Sequence, residues 1–65
     1  MPVVKIEMLA GKTKDQKKKM IEGITKAITE ATGVDPEKIW IIISEIQHEN
    51  WGSGGKQKEP TTNKK

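Results

Sequence analysis

Cysteine, arginine, phenylalanine and tyrosine are all absent from this 65-residue chain, and histidine occurs once, at position 48. Without cysteine the chain forms no disulfide and has no thiolate to act as a nucleophile or metal ligand. One histidine falls short of the three or four protein ligands of a typical zinc site. We therefore expect no metal and no other cofactor. Domains below about 70–80 residues usually need a disulfide, a metal or oligomerisation for stability, which leaves self-association.

Long hydrophobic runs are missing as well. No apolar segment approaches the ~20 residues of a membrane-spanning helix, and no signal-peptide pattern is present. We therefore expect a cytoplasmic protein with no membrane partner. The net charge is +3, but residues 1–55 carry eight lysines and eight acidic residues, so the excess lies in residues 56–65. Because the body is neutral and lacks arginine, the residue best suited to bidentate phosphate recognition, we expect no nucleic-acid partner.

The residues that are present predict three main elements. Alternating apolar residues predict a first strand over residues 2–9. Thr13 and Gln16 have the spacing of a capping box, and an apolar stripe at spacings of three and four predicts a helix that ends at Gly33. A nearly continuous run of isoleucines predicts a second strand over residues 39–46, covered on both faces.

The rest of the chain is polar and rich in glycine. We assign residues 1–55 to one domain, with a short hairpin at its glycine-rich end. Residues 56–65 are polar and basic and contain one proline, a composition typical of a flexible tail.

Strand, helix and strand in this order predict a single β-α-β unit of the α/β (α+β) class, with parallel strands joined by a right-handed crossover. One helix covers only one face of a two-stranded sheet. The other face would expose alternate residues of the isoleucine strand, and monomers rarely tolerate such an apolar patch. The pattern therefore predicts a homo-oligomer in which other subunits cover the sheet.

Proline directly follows the initiator methionine, and a small second residue favours removal of that methionine. Removal of Met1 would leave Pro2 with a free secondary amine. Burial in an apolar pocket or nearby positive charge lowers the pKa of such an amine toward neutrality, which suits a general base at physiological pH. Position alone leaves open that Pro2 has no functional role.

Five short features in register resemble the 4-oxalocrotonate tautomerase family, the short-chain members of the tautomerase superfamily. They are Pro2 behind the initiator methionine and residues 9–13 (LAGKT), 15–17 (DQK), 41–46 (IIISEI) and 50–55 (NWGSGG). The resemblance spans about residues 2–55. It implies an isomerase that interconverts the enol and keto forms of a small 2-hydroxy-dienoate or 2-keto acid. It also implies a homohexamer assembled as a trimer of dimers.

By position, the resemblance implies four site residues. Pro2 would be the general base, and Lys12, in place of a family arginine, would bind a substrate oxygen or carboxylate. Trp51 stands at the position of an aromatic wall, and Trp40 replaces a second arginine. A lysine lacks the planar fork of arginine, and an indole offers a single N–H donor. We therefore expect a substrate that is smaller or less charged than the dicarboxylate 2-hydroxymuconate.

Two alternatives stay open at the level of sequence. A protonated Pro2 would act as an acid in the hydration or dehalogenation of an unsaturated acid. Alternatively, the chain would be a non-catalytic oligomeric scaffold or binding module that retains the fold without the second arginine.

Overall fold

In a computed structural model that describes residues 2–59, the chain forms a β-α-β unit followed by a small hairpin. The elements are β1 (Val3–Leu9), α1 (Lys14–Thr32), β2 (Trp40–Ile46), β3 (Gly52–Ser53) and β4 (Lys56–Gln57), with 3-10 turns at Pro36–Lys38 and His48–Asn50. The predicted β-α-β fold and hairpin are confirmed. Met1 and residues 60–65, which bear on the predictions about methionine removal and the tail, lie outside the described residues.

Strands β1 and β2 pair in parallel, with Val3 opposite Trp40 and Leu9 opposite Ile46. The hydrogen-bonded ladder continues past both ends. The amide nitrogen of Trp40 lies 3.0 Å from the carbonyl oxygen of Pro2, and that of Ala10 lies 2.9 Å from the carbonyl oxygen of Ile46. Both strands therefore start at one end of the sheet, the amino end, and finish at the other, the carboxyl end.

Local capping explains where α1 begins and ends. The Gln16 amide donates to Thr13 Oγ1 (3.1 Å), and the Thr13 amide donates to Gln16 Oε1 (2.8 Å), which completes the predicted capping box. Gly33 adopts a left-handed conformation with φ 79°, and its amide donates to the carbonyl oxygen of Thr29. A residue with a Cβ is strained in this conformation, so glycine ends the helix here as predicted.

The helix covers one face of the sheet and leaves the other open. On the covered face, Val4, Ile6 and Met8 are half-buried. On the open face, Val3, Trp40 and Ile42 are 58%, 55% and 47% exposed. The second strand, predicted to be covered on both faces, is thus covered on only one within a single chain. We name Val3, Trp40 and Ile42 the open apolar patch.

The hairpin turns at two glycines with positive φ, Gly54 (62°) and Gly55 (81°), as a two-residue loop of type I′ requires. Gly52 pairs with Gln57 and Ser53 with Lys56. Strand β4 lies beyond the domain boundary predicted at residue 55, so two residues of the predicted tail segment pair with the hairpin. Within residues 2–59, no helix has the length and apolar character needed to cross a membrane.

Candidate active site

At the amino end of the sheet, Pro2 and Trp40 are neighbours. Pro2 is half-buried, and its carbonyl oxygen accepts the Trp40 amide hydrogen at a nitrogen–oxygen distance of 3.0 Å. Three bonds join the proline nitrogen to that oxygen, so it lies no more than about 7 Å from the Trp40 amide nitrogen. The Trp40 side chain is 55% exposed. The backbones of the two residues are therefore adjacent, whereas strand alternation places the Trp40 side chain with Val3 on the open face and Pro2 with Val4 on the covered face.

A short 3-10 turn determines how Trp40 enters the sheet. The Glu37 amide donates to Asp35 Oδ1 (3.0 Å), and the Ile39 amide donates to the carbonyl oxygen of Pro36 (3.1 Å). Because this last bond closes the turn, β2 begins at Trp40, one residue later than predicted. Ile39 is the only buried apolar residue among residues 2–59, at 9% exposure. Ile39 thus packs inward, and the next side chain, Trp40, points outward.

At the carboxyl end, Lys12 lies between two fixed points. The Ala10 amide is bonded to Ile46, and Thr13 is held by the capping box. Gly11 between them has φ 132°, a conformation that residues with a Cβ rarely adopt. The Lys12 side chain is exposed. This corner presents a cation to solvent from a well-defined stretch of backbone.

An ion pair joins the helix to the second strand near the same corner. Lys17 Nζ lies 2.7 Å from Glu45 Oε2, and the two side chains are 28% and 33% exposed. Glu45 pairs in register with Met8, close to the end of β1. No sequence pattern indicated this contact, because the residues are far apart in the chain and each alone is typical of a solvated surface.

Trp51 also belongs to the carboxyl end. It is half-buried, and its amide donates to the carbonyl oxygen of His48 (3.1 Å). Its own carbonyl oxygen accepts the Lys58 amide (2.7 Å), which anchors the hairpin. Three of the residues between Ile46 and Trp51 form a 3-10 turn. Such a turn rises only about 2 Å per residue, so the chain cannot return to the amino end.

The four predicted site residues therefore fall into two pairs. Strand β1 has seven residues and spans about 20 Å at a rise of about 3.3 Å per residue. Pro2 lies before its first residue and Lys12 after its last, a separation well beyond the reach of a lysine side chain. Within one chain, Pro2 is brought together with Trp40, and Lys12 lies with Trp51 at the opposite end.

Neither of two surface depressions in the described part of the chain contains these residues. One, of about 510 Å³, follows α1 from Ile21 to Glu30 and reaches Pro36. The other, of about 370 Å³, lies between residues 47–49 and 57–59. No group of three or more His, Cys, Asp or Glu residues within 2–59 is arranged to hold a metal ion. The candidate site is thus an open surface in a single chain.

Comparison with known proteins gives a consistent result. The family described as Tautomerase enzyme matches residues 2–60. A 2-hydroxymuconate tautomerase of Bacillus subtilis (strain 168) is 39% identical over 57 residues, which cover 88% of this chain and 92% of that protein. A 2-hydroxymuconate tautomerase of Pseudomonas putida is 42% identical over 55 residues, covering 85% of this chain and 87% of that protein.

Solved structures agree with the sequence relatives. A structure of the 4-oxalocrotonate tautomerase isozymes from Methylibium petroleiphilum superimposes with a TM-score of 0.80 at 38% identity. The match covers 86% of this chain and 90% of that one. Fold, length and sequence therefore point to one assignment, and the predicted resemblance and isomerase class are confirmed. The chain belongs to the 4-oxalocrotonate tautomerase family and is a tautomerase, an isomerase by class.

Proposed function

We propose that the chain converts a small 2-hydroxy-dienoate, or the enol form of a small 2-keto acid, into the corresponding ketone. Pro2 is the general base once Met1 is removed. The observation that carries the proposal is the position of Pro2. It is half-buried directly before β1, and its carbonyl oxygen accepts the Trp40 amide hydrogen, which ties it to the start of β2. Burial disfavours the charged form of an amine, so the free base needed for proton abstraction is favoured.

The reaction needs only proton transfers. The Pro2 nitrogen accepts the proton of the enol hydroxyl, and the electrons of the O–H bond form the carbonyl double bond. The electrons of the former carbon–carbon double bond then take a proton from the Pro2 ammonium at carbon. A base positioned in this way typically contributes about 10²–10⁴-fold in rate.

Assembly supplies the rest of the site in this proposal. Because Lys12 and Trp51 lie about 20 Å from Pro2 along the same sheet, we infer that they reach Pro2 from a neighbouring subunit. The Lys12 cation would then stabilise the negative charge that develops on the substrate oxygen or carboxylate. The open apolar patch supports self-association, since a lone subunit would leave it in water. The proposed assembly is a hexamer formed as a trimer of dimers.

Pro2→Ala tests the mechanism. We expect kcat/KM for ketonisation of phenylenolpyruvate to fall by about 10²-fold or more, because alanine leaves a differently placed and less basic amine. Pro36→Ala, in the turn before β2, is the matched control and should retain most activity. Mass spectrometry must first show that Met1 is absent from the purified protein. Equal activity of Pro2→Ala and the parent protein would refute the proline mechanism.

The pH dependence of kcat/KM separates the proline-base mechanism from the alternatives. A base must be unprotonated, so kcat/KM should fall as the pH drops through the pKa of the amine. If Pro2 acts as an acid on an unsaturated acid, the profile is reversed and activity falls as the pH rises. A scaffold or binding module would assemble without turning over either class of substrate, even with Met1 removed.

A further inference from the structure

We propose that the outer edge of β1, the edge that faces away from β2, is an interface between two copies of this chain. The two β1 strands pair antiparallel about a two-fold axis at Ile6, and the four strands form one continuous sheet. This inference deepens the proposed function, because it identifies the copy across the axis as the one that supplies Lys12 to Pro2. It rests on that function for the roles of these two residues, whereas the pairing follows from the strand itself.

The first support is the direction of the backbone groups along β1. The Pro2 carbonyl oxygen and the Ala10 amide both bond to β2. Because successive residues of a strand direct these groups to alternate sides, the even-numbered residues use theirs toward β2. The odd-numbered residues, from Val3 to Leu9, point theirs outward, where no other strand pairs with β1 within residues 2–59. The outer edge is therefore a row of backbone donors and acceptors that a further strand can satisfy.

The second support is that the side chains of β1 are complementary to a reversed copy of the same strand. An antiparallel pairing that uses the whole strand places Ile6 opposite its own copy. Lys5 of each copy then lies opposite Glu7 of the other, and Val3 lies opposite Leu9. Lys5 and Glu7 are exposed, and their in-register neighbours on β2 are uncharged. Opposite charges directly across an antiparallel pair stabilise it, and the two-fold axis forms this pair twice.

The outer edge of β2 is the competing surface, and it fits a second copy less well. Reversed on itself about Ile43, β2 would place Glu45 opposite Ile41. That carboxylate would face an apolar side chain instead of a cation. It is also already paired within its own chain, where Lys17 Nζ lies 2.7 Å from Glu45 Oε2. The distribution of charge therefore favours the edge of β1.

The pairing about Ile6 also joins the two halves of the candidate site. Pro2 of one copy lies opposite Ala10 of the other, with about 4.5 Å between their Cα atoms, as in a pair whose backbone groups point away from each other. Lys12 follows two residues later, so its Cα comes within about 12 Å of the Cα of Pro2. An extended lysine side chain and a bound substrate can bridge this distance. In one chain the two residues lie at opposite ends of a strand about 20 Å long.

The edge of β1 is distinct from the open apolar patch. The patch lies on the face of the sheet, so a copy that pairs along the edge leaves it uncovered and adds a second patch beside it. Further copies are needed to cover these patches. Each chain therefore has two different surfaces for self-association, and a trimer of dimers needs two.

Charge reversal at the edge tests the pairing without any assay of activity. Lys5→Glu leaves two acidic residues on each β1 strand and Glu7→Lys leaves two lysines, so each variant repels its own copies. We expect either change to raise the dissociation constant of the oligomer by about tenfold or more. The two variants complement each other when mixed, and native mass spectrometry should find oligomers that contain them in equal numbers. Lys38→Glu, the same change of charge outside β1, is the matched control.

A cross-link tests the register without a change of charge. The chain has no cysteine, so Ile6→Cys introduces a single thiol. The axis places it opposite its own copy at a distance suited to a disulfide, and mild oxidation should give covalent dimers. Val4→Cys, displaced from the axis, should cross-link less. A parent protein that stays monomeric, a mixture of charge variants with random composition, or stronger cross-linking of Val4→Cys overturns the inference.

The complementary charge variants also decide which copy supplies Lys12. With Pro2→Ala in the Lys5→Glu chain and Lys12→Ala in the Glu7→Lys chain, half of the sites are complete, and about half of the activity should remain. With both substitutions in the Lys5→Glu chain every site has one defect, and activity should fall by about 10²-fold. The reverse order would show that Lys12 acts within its own chain and would overturn this part of the inference. Full activity in both arrangements would refute the proposed function, whereas the association measurements would still support the pairing.

Discussion

The amino and carboxyl ends of the sheet differ in chemistry and in how the backbone holds them. The amino end carries Pro2 and the exposed side chain of Trp40, whereas the carboxyl end carries Lys12 and the ion pair of Lys17 with Glu45. A capping box and Gly11, with its positive φ, position the carboxyl end, whereas one ladder hydrogen bond and the closed 3-10 turn before Trp40 position the amino end. In the proposed assembly, the residues at the two ends would form one site only where different copies of the chain meet.

Among changes at the two ends of the sheet, blocking the proline nitrogen should lower the activity most. A Gly-Ser extension placed before Pro2 turns the amine into an amide, which has no basic nitrogen. We expect kcat/KM for phenylenolpyruvate to fall by about 10²–10⁴-fold, with the oligomer intact by analytical ultracentrifugation. The same extension after Lys65 is the control and should change little. Full activity of the protein with the extension before Pro2 would show that the proline nitrogen takes no part in the reaction.

Loss of the Lys12 cation at the carboxyl end should have the second-largest effect on activity. Lys12→Ala is expected to lower kcat/KM by about 10²-fold, the usual cost of removing one preorganised charge contact. Lys12→Arg should retain or increase activity, because it keeps the charge and adds the planar fork.

A mixture of the two defective proteins sharpens this comparison. When Pro2→Ala and Lys12→Ala are unfolded and refolded together, mixed oligomers should regain activity, because some sites combine an intact Pro2 with an intact Lys12 from another subunit. A mixture no more active than its separate components would mean that Lys12 does not act across a subunit boundary.

The smallest expected effect concerns the ion pair that joins α1 to β2. Lys17→Met should lower the free energy of unfolding by about 0.2–1 kcal/mol, since both side chains are partly exposed and solvent screens their attraction. Denaturant unfolding at low and high salt measures this, and the difference should shrink as salt rises. Lys18→Met, a change at the exposed neighbouring residue, is the matched control. Equal losses of unfolding free energy in Lys17→Met and Lys18→Met would show that the ion pair does not itself stabilise the fold.

Features that depend on neighbouring residues were predictable from the sequence. The capping box of Thr13 and Gln16 and the left-handed Gly33 follow from local hydrogen bonding and backbone sterics, so the limits of α1 agreed with expectation. The uncovered face of the sheet was predictable because a single helix covers only one face of a two-stranded sheet. The resemblance, carried by short segments in register, predicted the family.

Features that depend on distant contacts were not predictable in the same way. The domain boundary at residue 55 rested on a change in composition, whereas β4 depends on pairing across the Gly54–Gly55 turn. The pairing of Lys17 with Glu45 needs the crossover that brings α1 over β2. The division of the candidate site arises from parallel strands, and residue types alone do not show which subunit supplies Lys12.

The hydrogen bond from Trp40 to Pro2 has a consequence for motion. The residue before β1 is tied to the middle of the sequence through a single amide hydrogen. Local opening of that bond would release Pro2 and the beginning of β2 together. The exchange rate of the Trp40 amide hydrogen with solvent therefore reports how long the protein holds the proline ring in one place.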